Sequence, residues 1–138
     1  MTWANEPPSE EEQFKVKQER TLMRAVLGND EKEVERVLEE QGSVIDVNFE
    51  SSGRSRPLHA AASVNSVEIA SLLLKAGAEI NATNSLGYTP LFVAVINENK
   101  QVAEFLIQSG ADTKRKSTKH NQSLKDLATP SLAQALSL

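Results

Sequence analysis

Apolar residues recur at helical spacing in short segments, and glycine, asparagine and proline separate these segments. Leu22, Ala25 and Val26 end a first helical stretch, which we expect to run from an N-cap at Ser9 to about Leu27. The later segments form shorter helix pairs with the same spacing. The pattern therefore predicts an all-α chain.

The helix pairs repeat at a fixed interval of 33 residues. Residues 57–61 (PLHAA) return as 90–94 (PLFVA), and residues 73–79 (LLKAGAE) return as 106–112 (LIQSGAD). A constant period of this length indicates one supersecondary unit stacked on itself, with each unit contacting its neighbours.

Each unit carries its own start and stop signals. Pro57 and Pro90 are expected at the first helical position, where the missing N–H costs nothing. Thr89 is the predicted N-cap of its helix, whereas Arg56 cannot cap through a side-chain oxygen. Either that helix start is looser or the arginine is engaged elsewhere. Gly77 is predicted to be left-handed just after its helix.

The repeat divides the chain into a predicted flexible tail, residues 1–8, and a single domain, residues 9–138. We expect a diverged first repeat, two regular ones and a truncated fourth that caps the stack, at approximately 21–53, 54–86, 87–119 and 120–138.

Composition narrows the function classes. Hydrophobic residues make up 39% of the chain but aromatic residues only 4%, so the core must be aliphatic. The chain has no cysteine, which excludes disulfides, thiol catalysis and cysteine zinc sites. We expect no metal and no cofactor. The sequence shows no membrane-length apolar run and no signal-peptide order, so we predict a cytoplasmic location, with a nuclear location in addition left open. We also expect the chain to be monomeric.

Charge is distributed unevenly along the chain. Residues 1–50 carry 13 acidic and 6 basic residues, a net −7, whereas residues 51–138 carry 6 acidic and 9 basic residues, a net +3. The asymmetry could orient a partner, or it could simply keep the domain soluble.

Segments 57–62 (PLHAAA), 73–82 (LLKAGAEINA) and 87–91 (GYTPL) resemble the ankyrin-repeat family, and the match extends over roughly 21–136. The layout, including segment 46–59, is similar to the small myotrophin-like ankyrin proteins. The resemblance implies a solenoid of helix-turn-helix units with projecting hairpin loops. It also implies protein binding at the hairpin tips and the exposed side of each first helix, with actin capping protein as a candidate partner.

Repeat geometry points candidate contact residues outward at the hairpin tips and on the inner helical face. They are Ser55, Ser63, Val64 and Thr83 in the second unit, and Ser85, Leu86, Tyr88, Ile96, Asn97 and Lys116 in the third. We expect Val64, Leu86, Tyr88 and Ile96 to form an apolar patch. Alternatively, Leu86 and Ile96 pack partly between repeats.

Basic side chains form a second candidate group. Arg24 belongs to the surface that the resemblance implies, and Arg54 and Arg56 could contact an acidic partner or remain solvated. Residues 114–120 (KRKSTKH), which include Lys119, could bind acidic protein, phosphate or an import receptor, or form a solvated hairpin. Nucleic acid is disfavoured because the chain is net acidic and offers few stacking aromatics.

Two residues take their interpretation from the resemblance. It implies that His59 bonds loop backbone and ties one repeat to the next, and Phe92 in the equivalent place argues against catalysis. Asn81 is similar to ankyrin asparagines that become hydroxylated, although a plain turn role is the simpler alternative. His120 has no nearby second histidine, so we assign no metal.

Three functional hypotheses follow. The first is a non-catalytic adaptor or inhibitor that binds a folded protein or peptide on its concave face. The second is the narrower case of a myotrophin-like regulator of actin capping protein. The third is an enzyme or small-ligand protein, which would need convergent polar groups in a closed pocket that the sequence does not offer.

Overall fold

A computed structural model describes residues 6–138, and the regular structure in that range is entirely helical. The tail predicted at 1–8 lies mostly outside the described residues. Besides one 3-10 turn at Ser52–Arg54, the helices are α1 (Glu10–Leu27), α2 (Glu31–Gln41), α3 (Pro57–Ser63), α4 (Val67–Lys75), α5 (Pro90–Ile96), α6 (Lys100–Gln108), α7 (Leu124–Leu127) and α8 (Pro130–Ala135).

The helix starts follow the predicted signals. Ser9 forms the capping box of α1, because its hydroxyl accepts from the Glu12 N–H at 3.2 Å while the Glu12 carboxylate accepts from the Ser9 N–H at 3.0 Å. Pro57 and Pro90 open α3 and α5, and Thr89 Oγ1 accepts from the Phe92 N–H at 3.3 Å. The prediction that two prolines, 33 residues apart, begin equivalent helices is confirmed.

Glycine ends the second helix of each regular pair. Gly77 and Gly110 follow α4 and α6 with φ of +100° and +99°, in the left-handed region that glycine adopts without steric cost. The prediction for Gly77 is confirmed, and the chain leaves both helices in the same direction.

The helices pack in two rows. Successive first helices (α1, α3, α5, α7) contact one another, and successive second helices (α2, α4, α6) do the same. Within the first three pairs, α1, α3 and α5 pack on α2, α4 and α6. One continuous core runs between the rows from Leu22 to Leu136. It is mostly aliphatic, but the fully buried Phe92 corrects the expectation of a purely aliphatic core. Ala61 and Ala62 are fully buried in α3, and their small side chains allow neighbouring helices to approach closely.

The last pair is short, as predicted for a terminal unit. Leu124 of α7 and Leu132 of α8 are 1% and 6% exposed, so they cover the end of the stack formed by α5 and α6. Loops 42–56, 76–89 and 109–123 connect the pairs.

Candidate functional site

Three side chains occupy equivalent positions at the C-terminal ends of the first helices. Leu27 of α1 and Ile96 of α5 are 55% and 43% exposed, and Ser63 of α3 between them is also exposed. We call the exposed side of this row the first-helix face. Sequence reasoning named Ser63 and Ile96 but missed Leu27. The repeat register contained the signal, because Ala25 aligns with Ala61 and therefore Leu27 with Ser63.

The residues that follow these positions are partly solvent-facing. Val64 is half-buried after α3, and Asn97 is exposed after α5 with its amide donating to the Val93 carbonyl at 2.8 Å. Val64 thus adds limited apolar surface to the first-helix face.

The loop tips present a mixture of exposed and bonded groups. Leu86 is 43% exposed, and its neighbour Ser85 donates its N–H to the Gly53 carbonyl at 2.9 Å, which joins two successive tips. Thr83 is half-buried, as is Ser55, whose carbonyl accepts from the Ser51 N–H at 2.8 Å.

Tyr88 packs partly on the core, so only part of its ring can contribute to the expected apolar patch. Its ring stacks on Phe92 with centroids 5.8 Å apart, its carbonyl bonds His59, and its hydroxyl lies 3.4 Å from Gln122 Oε1. The half-buried Tyr88 joins three successive units, because its partners come from the neighbouring repeats.

Arg56 is engaged within the molecule, which corrects both the free and the solvated interpretations of its side chain. Its guanidinium bridges Glu50 at 3.1 Å and Glu79 at 3.4 Å, and only 16% of the side chain is exposed. Arg54 also pairs with Glu50, at 3.4 Å, but is 59% exposed. Hydrogen bonds from Arg56 and Arg54 lower the pKa of Glu50.

His59 connects the second repeat to the third, as the resemblance implied. Its Nδ1 accepts from the Arg56 N–H at 3.1 Å, so its Nε2 carries the proton and donates to the Tyr88 carbonyl at 2.9 Å. Burial lowers the pKa of His59 and favours this neutral form. Both ring nitrogens are therefore occupied by structural bonds.

Asn81 binds the backbone of the next loop, which is more than a turn role. Its Oδ1 accepts from the Asp112 N–H at 3.0 Å, and its carbonyl accepts from Arg115 at 3.1 Å. Asn48, 33 residues earlier, accepts from the Glu79 N–H at 2.8 Å in the same way. The repeated asparagine ties each loop to its successor.

The basic run divides into structural and solvent-facing residues. Arg115 is half-buried through its bond to Asn81, and the Oγ of buried Ser117 accepts from the Gln122 N–H at 3.1 Å. Lys116 and Lys119 are exposed. Any contact by this loop would therefore involve its lysines.

A cleft that the sequence did not reveal separates α1 from the first loop. It consists of two adjoining pockets, of about 390 and 420 Å³. Its apolar floor is formed by Met23, Leu27 and Phe49, and Arg20 and the exposed Arg24 lie at its rim. We call this feature the α1–loop cleft.

Residues 6–138 offer neither a metal-binding cluster nor a membrane-spanning helix. No group of three or more histidine, aspartate or glutamate side chains in this range is arranged to hold a metal ion. No helix within residues 6–138 is both long enough and apolar enough to cross a membrane.

Comparison with known proteins places this geometry in context. A bovine (Bos taurus) mitochondrial disaggregase is 44% identical over 61 residues, which are 44% of this chain and 9% of that protein. An ankyrin repeat and LEM domain-containing protein 1 homolog of Caenorhabditis elegans is 42% identical over 69 residues, covering 45% of this chain and 10% of that protein. A putative ankyrin repeat protein of fowlpox virus is 30% identical over 92 residues, covering 67% of this chain and 21% of that protein.

The matches therefore span about a fifth or less of each relative. The sequence model for ankyrin repeats matches residues 22–117 in three copies, from α1 to the third loop. Since this match covers most of the chain and coincides with the stacked helix pairs, the chain belongs to the ankyrin-repeat family.

Proposed function

We propose that this chain is a non-catalytic adaptor or inhibitor that binds a folded protein or peptide across its first-helix face and loop tips. Ankyrin repeats generally mediate protein–protein interaction and are typically not catalytic. The observation that carries the proposal is the exposure of Leu27 and Ile96, 55% and 43%, at equivalent positions of one helix row. Exposed apolar side chains on one face favour contact with another protein.

Two mutations on this face test the proposal. Leu27→Asp and Ile96→Asp place a charge where an apolar contact is expected, without disturbing buried side chains. The control is Lys75→Asp, which puts the same new carboxylate at an exposed position of α4 in the other row. We expect affinity capture from native cells to lose the same partners with both face variants and to retain them with the control.

Equal recovery of every partner by Leu27→Asp and Ile96→Asp would mean that this face is not used. Circular dichroism melting of each variant separates lost binding from lost folding. The expected partner is a protein in the cytoplasm, and the expected state of the chain itself is monomeric.

A narrower candidate is regulation of actin capping protein, which the layout resemblance favours. The purified chain should then relieve barbed-end capping in an actin polymerisation assay, and Ile96→Asp should weaken that effect. Unchanged capping at a large molar excess of the chain over capping protein would remove this candidate and leave the broader proposal standing.

A further inference from the structure

The α1–loop cleft is built by a part of α1 that precedes the matched repeats. The family match begins at residue 22, whereas α1 begins at Glu10. Val16 and Arg20, on this extension, face Phe49 and Ser51 of the first loop across the larger pocket. The extra helical turns thus add a wall that the other repeats do not have.

The floor and one wall of the cleft are apolar and accessible. Leu27 and Val16 are 55% and 44% exposed, and Met23 and Phe49 are half-buried on the core. Covering such surface removes apolar area from water and therefore favours association. A ligand for this cleft therefore needs apolar side chains of its own.

The acidic groups of the cleft are neutralised from within the molecule. Glu50 is paired with Arg54 and Arg56 at 3.4 and 3.1 Å. Glu19 accepts from the Asp46 N–H at 3.2 Å and lies 3.9 Å from the Lys15 ammonium. Neither carboxylate is left with an uncompensated charge.

The basic groups are in the opposite situation. Arg20 and Arg24 are exposed at the rim of the apolar floor, one helical turn apart, and neither forms an ion pair with any residue from 6 to 138. A guanidinium offers planar, bidentate recognition of a carboxylate. The cleft therefore combines an apolar floor with uncompensated positive charge.

We propose that the α1–loop cleft binds an acidic peptide segment of a partner protein. Apolar side chains of the peptide pack on Met23, Leu27 and Phe49, and its carboxylates pair with Arg20 and Arg24. The inference rests on the proposed function and names the partner class at one end of the same face. The apolar floor favours a peptide over a phosphate backbone, which would need a larger basic surface.

An unbiased probe tests this chemistry: a phage-displayed library of random 16-residue peptides, panned on the full chain. We expect the enriched peptides to combine Asp or Glu with Leu, Ile, Phe or Met. Binding of the enriched peptides, measured by fluorescence polarisation, should weaken roughly tenfold or more in the Arg20→Glu, Arg24→Glu double variant. Binding by the wild-type chain should also weaken as salt is raised, because salt screens the attraction between the arginines and the acidic peptide. The control is Lys32→Glu, at an exposed position of α2 outside the cleft, and it should bind as the wild type does.

Enrichment of basic or uncharged peptides, no enrichment at all, or equal binding by the double variant would overturn the inference. These outcomes differ from failure of the proposed function. If Ile96→Asp abolishes partner capture while acidic peptides do not bind, the face is used and only the assigned chemistry is wrong. If neither Leu27→Asp nor Ile96→Asp affects capture, the proposed function fails as well.

Discussion

His59 and Phe92 occupy the same position in successive first helices and use different chemistry to reach the next unit. His59 bonds the Tyr88 carbonyl at 2.9 Å, and its Nδ1 accepts from the Arg56 N–H at 3.1 Å. The second bond satisfies the backbone N–H of the N-cap residue, although the Arg56 side chain itself makes no capping bond. Phe92 instead stacks on Tyr88, and Thr89 caps its helix. Both arrangements converge on Tyr88: His59 bonds its backbone carbonyl, and Phe92 covers one side of its ring.

The buried, neutral His59 predicts a dependence of stability on pH. Because burial lowers its pKa, the unfolded chain binds a proton more readily than the folded one. The free energy of unfolding should therefore be unaffected by His59 protonation above the ordinary histidine pKa of about 6.5. It should fall as the pH drops through that value toward the lower folded pKa.

Urea unfolding from pH 7.5 to 5.5 measures this slope. His59→Gln should remove most of it, at the cost of lower stability throughout, while His120→Gln at an exposed loop position is the matched control. A wild-type slope that survives in His59→Gln would show that another group is responsible.

Gly77 and Gly87 both have positive φ, but only at Gly87 would an added side chain also meet a neighbouring atom. Gly77 has φ +100° with no atom within 4 Å of an added Cβ, whereas a Cβ on Gly87 would lie 2.7 Å from the Thr118 nitrogen. We expect Gly77→Ala to lower the free energy of unfolding by about 1 kcal/mol or more, through backbone conformation alone. Gly87→Ala should cost clearly more, because the Thr118 backbone must move. Thermal melts compare the two, and equal losses would contradict this account.

Sequence reasoning was accurate for residues whose role is local and weaker for those with distant partners. Ser9, Thr89 and Gly77 act within one turn of a helix, so their roles follow from the adjacent sequence. Arg56 and Tyr88 bond residues 23 to 34 positions away, across loops whose path no local pattern specifies. The sequence therefore left open whether Arg56 was engaged or free, and it did not reveal the partners of Tyr88.

At the scale of elements, neighbouring repeats exchange the bonds that usually stay within one helix. Asn99 is the N-cap of α6 but makes no side-chain capping bond; its amide donates to the Ala62 and Ser63 carbonyls of α3 at 2.8 and 3.1 Å. Asn65, in the α3–α4 turn, instead accepts from the Val102 N–H of α6 at 3.2 Å. Each helix end is thus satisfied by the adjacent unit.

This exchange predicts an unusual order of substitutions at Asn99. Aspartate is as good an N-cap as asparagine in general, so a local capping role would leave Asn99→Asp nearly neutral. Here the amide faces two carbonyl oxygens, and a carboxylate would repel them. Asn99→Ala should cost about 1 kcal/mol per lost bond, and Asn99→Asp should cost more than Asn99→Ala. Denaturant midpoints measure the order, and a neutral Asn99→Asp would restore the local explanation.

The helices themselves were predictable from the repeat, but the α1–loop cleft was not. The spacing of apolar residues and the turn residues predicted the first helix and the helix pairs of the repeats, since these signals are local. The cleft depends on how the extension of α1 and the first loop stand relative to each other. That relation is set by packing of Met23 and Phe49 on the core, which periodicity does not encode.

At the scale of the whole molecule, acidic residues are concentrated in the first unit of the stack. The sequence of α2 (EKEVERVLEEQ) places five glutamates in the row of second helices. Three more stand at the start of α1, where they complement the helix dipole. Exposed Lys116 and Lys119 lie in the third loop, at the opposite end of the stack from Arg20 and Arg24.

The central claim is that a partner protein binds the first-helix face and not the row of second helices. Site-specific photo-crosslinking in native cells tests it most directly. A photoreactive residue is placed in turn at Leu27, at Ile96 and at Glu68, the last being exposed on α4 in the row of second helices. We predict that Leu27 and Ile96 yield covalent adducts with the same partner protein and that Glu68 yields none with it. Adducts to that partner from Glu68 but from neither Leu27 nor Ile96 would contradict the account.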